Sequence, residues 1–456
     1  MQALPLAGLT GALFSTPAMR ETFSARACVQ RMLDFEAALA RAQARTGVIP
    51  SACAAPIAAA CDAAHIDTEQ LAQAAALAGN LAIPLVRQLT AVVAATDPEA
   101  ARFVHWGATS QDAIDTGLVL QMRDALDLID TDLASLSSAL AALASRHRDT
   151  VMAGRTWMQH ALPVSFGLKA AGWLDGVQRH RERLAALRPR LLVLQFGGAA
   201  GTLASLGGKG LAVAQALADE LGLGLPAMPW HGQRDSLAEA AAVLGMLTGS
   251  LGKMARDIAL LTQTEVGEAA EPAAEGKGGS STMPHKQNPV GCAAVLAAAA
   301  RVPALVSTML SAMVQEHERA LGGWQAEWDS LPDIVLLAAG ALRQATTMAE
   351  GLTVNPQRMR ANLDTTGGLI MAEAVALALG ARLGRLQAHE LVEAACRRAV
   401  QSGRPLREVL REDSAVAAQL SPQQIDSLLE PTGYLGQSGA FIDRVLAAQP
   451  PRTLRE

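Results

Sequence analysis

Aromatic side chains are nearly missing from this 456-residue chain: 3% of residues, with a single tyrosine. A core short of rings must be filled by Ala, Leu and Val, which favours closely packed helices over sheets rich in β-branched and aromatic residues. Few rings to stack on bases, a formal net charge of −5 and no basic cluster argue against a nucleic-acid partner. Cysteine is sparse, and Cys28, Cys53, Cys61, Cys292 and Cys396 form neither a CxxC pair nor a metal-ligand spacing. Reduced core thiols are therefore expected, with no metal and no cofactor. No stretch reads as a targeting or membrane segment. Met1 to Phe14 is apolar but lacks a Lys/Arg start and is broken by Pro5, Gly8 and Gly11. The Ala-rich run from Val290 reads as stopped by Arg301 and Pro303, too early to cross a bilayer. A cytoplasmic protein without membrane contact is the expectation.

What is present is long apolar periodicity. Half the residues are hydrophobic, and the length allows two or three domains with a large core. Cys28 to Thr46 has amphipathic helical spacing, and Gly47 and Pro50 follow as stop signals. Val119, Met122, Leu126, Ile129, Leu133, Leu136, Leu140 and Leu143 alternate spacings of three and four, the repeat of helices packed as a left-handed bundle. Leu237, Ala240, Leu244, Leu247, Leu251, Met254, Ile258 and Leu261 repeat it, with Gly245, Gly249 and Gly252 placed to let a neighbour come close. Further long helices are predicted from Pro163 towards Arg188, over Val290 to Gln315 with a kink at Pro303, and over Leu331 to Leu352. The expected fold is all-α in three helical parts: 1–112, a central five-helix bundle over 113–355, and a small C-terminal domain over 356–456. Apolar stripes of that length need partners from further copies of the chain.

Three polar stretches interrupt this pattern. His105 to Asp112 stands directly before the first heptad helix, so Thr109 or Ser110 can cap it or bind a carboxylate. The second is Gly154-Arg155-Thr156-Trp157-Met158-Gln159-His160-Ala161-Leu162-Pro163. The third runs from Gly276 to Pro289 and holds two of only five lysines in the chain. Taken alone it could be a solvated, mobile linker. Its order Gly-Ser-Ser-x-Met-Pro-x-Lys-x-Asn-Pro, however, resembles the signature loop of the fumarase/aspartase superfamily at every fixed position, and the other two stretches resemble that superfamily's remaining motif regions.

The resemblance implies a homotetramer whose active sites take these regions from three subunits. It implies a small polycarboxylate substrate, Ser280 as the proton-transferring residue, and Lys286 and Asn288 as the holders of the carboxylate next to the acidified C–H. Thr109, Ser110 and Gln159 fall on motif positions that bind substrate. Many members carry His directly after the threonine of the second region; this chain has Trp157 there, a candidate apolar wall against the substrate, and His160 three residues on, either a catalytic acid or a structural histidine. Gln315 to Arg319 and Trp324 to Trp328 resemble the muconate cycloisomerase branch, with Arg319 a candidate carboxylate clamp or the partner of Glu316 or Glu318. That branch implies lactonisation of a carboxymuconate in aromatic catabolism. The alternatives are a fumarate-releasing elimination lyase and a helical protein that kept the scaffold without the chemistry.

Overall fold

The computed structural model describes residues 10–448, so the stretch Met1–Phe14 lies outside the described residues as far as Leu9. Five long helices are present: α1, Ser110–Arg146; α2, Phe166–Leu191; α3, Asp235–Leu261; α4, Val290–Ser311; and α5, Gly323–Gly351. Every residue of the two heptad stripes is buried, as the spacing requires. The first amphipathic helix spans Ala25–Arg45 and is capped by Ser24, whose hydroxyl accepts the Ala27 N–H. Among the described residues the only sheets are two-stranded, so the fold is all-α.

Three expectations fail in local detail. No helix starts at Pro163. That residue lies in strand β2, Gln159–Ser165, which pairs antiparallel with β1, Val151–Thr156, and α2 begins only at Phe166. Proline has no N–H to give a ladder, but a two-stranded ribbon has only edges, and the register shifts between Ala153 and Arg155 beside the Pro163 pairing. The Ala-rich run from Val290 is not stopped by Arg301 and Pro303; both lie inside α4, which with α1 is long and apolar enough to cross a membrane by length and composition. Helix α5 begins eight residues before Leu331, because Gly323 to Ser330 joins it.

The chain packs as two compact units. The first comprises the described residues as far as Leu133, His180–Gly252 and Ala294–Gln344. Its cores gather Met32, Leu33, Leu85 and Leu89 on one side of the Ala25–Arg45 helix, and Phe35, Leu39, Leu194 and Leu217 on another. Within it α3 and α4 approach through glycine. A Cβ on Gly252 would stand 2.8 Å from the Ala299 methyl, and one on Gly245 3.0 Å from a Val306 methyl, whereas Gly249 has nothing within 4 Å. Two of the three predicted glycines therefore serve close packing.

The second unit comprises Ala134–Arg179, Lys253–Ala293 and the described residues from Ala345. Its core joins Val151 and Ala153 of β1 to Leu363, Val375, Leu379, Leu406 and Leu410 of the C-terminal helices. The hairpin and the signature loop both belong to this unit.

Candidate active site

The signature loop is held in a tight shape by its own backbone. Gly279 and Gln287 form an antiparallel bridge, Asn288 N–H donates to Gly278 O at 2.8 Å, and Lys286 N–H to Met283 O at 3.0 Å. Ser280 lies on this ring with its hydroxyl oxygen receiving two backbone donors, Met283 N–H at 3.0 Å and Thr282 N–H at 3.3 Å. Donors aimed at an oxygen favour its anionic form and lower the cost of taking its proton. Lys286 stands exposed on the same loop, and Asn288 is half-buried at its exit. The loop's second lysine is engaged elsewhere: Lys277 Nζ lies 3.2 Å from Glu271.

The β1–β2 hairpin turns through Trp157 and Met158 alone, since Thr156 pairs with Gln159. Both turn residues are left-handed, with φ of 50° and 64°. Such a two-residue turn normally takes Asn or Gly, so a bulky pair there is strained. Neither side chain is rewarded within the chain, because Trp157 is 98% and Met158 72% exposed. His160 sits one step down the hairpin, its Nδ1 buried and without a hydrogen-bond partner. Burial, helped by the charge of Arg155 and opposed by Glu268, holds its pKa below the ordinary imidazole value. It is therefore neutral near pH 7. Arg155 anchors the hairpin stem by a two-pronged contact to the wholly buried Glu268, at 2.7 and 2.9 Å, and Asn362 donates to the same carboxylate at 2.7 Å.

Thr109, Ser110 and Arg319 belong to the first unit, around one buried carboxylate. Asp112 accepts from Thr109 N–H at 3.0 Å, Gly197 N–H at 3.0 Å, Gly198 N–H at 2.9 Å and His231 Nε2 at 2.8 Å. Helix α1 starts at Ser110, so Asp112 stabilises its first turn and draws the 197–199 turn onto it. Arg319 reaches that turn as well, one guanidinium nitrogen donating to Ala199 O at 3.0 Å while its Nε has no hydrogen-bond partner among the described residues, and it pairs with neither neighbouring glutamate. Glu316 instead accepts the Leu321 N–H. Ahead of the turn, His105 is left-handed and lies 2.6 Å from the buried Glu36. Burial lowers its pKa, but the Glu36 charge and hydrogen bond outweigh that and raise it.

One turn further along α1 lies a charge cluster that sequence reasoning missed. Arg234 is 1% exposed and contacts two carboxylates, Asp115 at 2.6 and 3.0 Å and Glu327 at 2.5 to 3.1 Å. Burial would lower its pKa, yet the two carboxylates hold it above the ordinary guanidinium value. Trp324 Nε1 and Gln111 Nε2 also donate to Asp115, and the guanidinium lies 4.9 Å over the Trp230 ring. The available signal was Trp230 to Asp235, a polar stretch directly before a heptad helix, just as His105 to Asp112 is. Among the described residues, no three His, Cys, Asp or Glu side chains are grouped to hold a metal.

Comparison with known proteins gives the family. A family model described as lyase matches residues 13–304, and one described as adenylosuccinate lyase C-terminus matches residues 368–445. The 3-carboxy-cis,cis-muconate cycloisomerase of Pseudomonas aeruginosa is 59% identical over 447 residues, 98% of this chain and 97% of that protein. The enzyme of the same name from Acinetobacter baylyi is 49% identical over 96% of this chain and 98% of its own length. Among solved structures, the 3-carboxy-cis,cis-muconate lactonizing enzyme from Pseudomonas putida matches with a TM-score of 0.93 at 57% identity, covering 96% of this chain and 98% of that one.

Proposed function

The chain belongs to the lyase family of the fumarase/aspartase superfamily, and from that membership we propose that it is a cycloisomerase that closes 3-carboxy-cis,cis-muconate to 4-carboxymuconolactone. The observation that carries the reading is 59% identity to a cycloisomerase of that name across 98% of the chain. In the forward reaction a substrate carboxylate oxygen bonds to one end of a conjugated alkene. The alkene electron pair moves towards the second carboxylate and makes an aci-carboxylate. Lys286 and Asn288 steady that charge, and Ser280 delivers the proton to carbon. The two N–H groups on Ser280 Oγ support the step, because they stabilise the alkoxide that delivery leaves behind. Neutral His160 orients the substrate by its ring N–H, and Thr109, Ser110, Gln159 and Arg319 hold the outlying carboxylates.

Trp157 in place of a histidine favours lactonisation over elimination. Read backwards, lactone opening expels a carboxylate whose acid has a pKa of about 4, which leaves without help from an acid. Lyases that expel hydroxide or an amine release far stronger bases and gain from a general acid at that position. Purified protein is therefore expected to consume 3-carboxy-cis,cis-muconate, followed by its ultraviolet absorbance, and to release no fumarate from argininosuccinate or adenylosuccinate. Steady fumarate release from either would transfer the chain to the elimination lyases.

The assembly belongs to the same reading: a homotetramer, in the cytoplasm, with each site completed by neighbouring subunits. A strained, almost fully exposed Trp157 supports it, since an apolar turn of that kind gains only when another surface covers it. So does α4, apolar along its length but with Ala293, Ala300, Ala304 and Ser307 exposed at helical spacing, small residues that admit a second helix. Light scattering is expected to report four chains. Mixing a Ser280→Ala protein with a Trp157→Asp protein, under conditions of subunit exchange, should regain activity. An active monomer would end the tetramer reading, and exchanged hybrids without activity would confine each site to one chain.

A further inference from the structure

The mechanism leaves one acid beside the loop unused. Glu271 has a side chain only 6% exposed, and its carboxylate gathers partners from both ends of the signature loop. Oε1 accepts the Cys292 N–H at 2.7 Å and Oε2 the Gly291 N–H at 3.1 Å. These are donors of the first turn of α4, where unsatisfied N–H groups and the helix dipole favour an anion. A Cβ on Gly291 would lie 3.0 Å from Oε2, so a glycine there is what lets the carboxylate come so close. From the entry side, Lys277 Nζ approaches Oε2 to 3.2 Å, buried and off hydrogen-bond alignment, so the contact is an ion pair.

The chain leading to Glu271 is itself fixed. Ala269–Ala270 pairs with Thr353–Val354, and a Cβ on Gly351 would strike Pro272 at 2.6 Å. Glu271 thus ties residues 291–292 back to an anchored strand and closes the intervening segment at its base. Apart from that tie, the two arms of the segment are joined by the Gly279–Gln287 bridge and the Asn288 to Gly278 bond. The tie also fixes the charge pattern. Lys277 is committed to Glu271, which leaves Lys286 as the lysine free to face a substrate carboxylate near Ser280.

We propose that Glu271 is a positioning residue for the reaction: it clasps the base of the signature loop and engages Lys277, so that Ser280, Lys286 and Asn288 are presented in one arrangement. This rests on the cycloisomerase reading only for its activity readout. The test compares Glu271→Gln, Glu271→Asp, Lys277→Met and the Glu271→Gln/Lys277→Met pair in the full-length protein. Misplacing reacting groups by about 1 Å costs up to about a hundredfold, so Glu271→Gln should lower kcat about 10- to 100-fold with a smaller change in KM. Glu271→Asp should recover part of that loss. The double variant should be no slower than Glu271→Gln, because the two side chains act through one contact. Hydrogen exchange of the 276–292 amides should quicken in Glu271→Gln while the melting temperature barely moves.

A wild-type kcat in Glu271→Gln overturns the proposal, and so does a lowered kcat with unchanged exchange at Gly291 and Cys292. Should Glu271→Gln fail to fold, Lys277→Met carries the test, since it leaves the carboxylate on α4; unchanged loop exchange and kcat there would equally overturn it. If the wild-type protein does not lactonise the substrate, the function fails, whereas the exchange measurements still decide the clasp.

Discussion

Ser280→Ala is expected to lower kcat about a thousandfold or more while leaving the fold intact. The argument starts from the oxygen. Its two backbone donors, at 3.0 and 3.3 Å, can be satisfied fully only by an anion or a lone pair at that point. Removing the oxygen removes the proton donor, and general acid–base groups contribute about 10²- to 10⁴-fold. The structural loss is small. Thr282 and Met283 are exposed, so water replaces the hydroxyl on their N–H groups, and a lost cap of this kind costs about 1 kcal/mol. Steady-state kinetics and a thermal melt on the same preparation check both halves. Ser281 makes a useful control, because it is exposed next door on the same loop. If Ser281→Ala proved the dead variant and Ser280→Ala retained turnover, the proton would have to travel through the second serine.

The second large effect concerns stability. Arg234→Met should destabilise the protein by about 3–5 kcal/mol, the usual consequence of removing one partner from a buried ion pair. Asp115 and Glu327 would then share a desolvated space with no cation between them. Of the two carboxylates, the remaining donors, Trp324 Nε1 and Gln111 Nε2, reach Asp115 and not Glu327. A triple variant, Arg234→Met with Asp115→Asn and Glu327→Gln, removes the stranded charges and should recover a large part of the loss. Denaturant or thermal midpoints at equal protomer concentration measure this, because the midpoint of an oligomer, as proposed for this chain, depends on concentration. A single variant as stable as wild type would show that the cluster is solvated, contrary to its burial.

The two heptad stripes were legible because helical burial is a local periodic rule. A three-and-four repeat has no solution but one apolar face, and all sixteen stripe residues are buried. The signature loop was legible for another reason: its chemistry is written in consecutive residues, so Ser280, Lys286 and Asn288 could be named without knowing what they touch. The helix start at Pro163 was misread because proline was weighed by its own backbone preference, whereas the helix expected to run from Val290 through Pro303 is present over Val290–Ser311. In the fold, Pro163 is placed by pairing with Ala153 beside a register shift, and Pro303 lies exposed inside α4.

Sequence alone therefore determined the helical class, the existence of the five long helices and the family-signature loop on which the proposed chemistry rests. Tertiary structure alone decided which polar groups are spent on one another. Arg234 meets Asp115 and Glu327 across separations of 119 and 93 residues, and Arg155 meets Glu268 across 113. Glu271 chooses Lys277 and the first turn of α4 in the same way. A charged side chain has no period to betray it. Its partner is fixed by which segments the apolar stripes bring together, and the desolvation that makes the pairing obligatory arises only once they have packed.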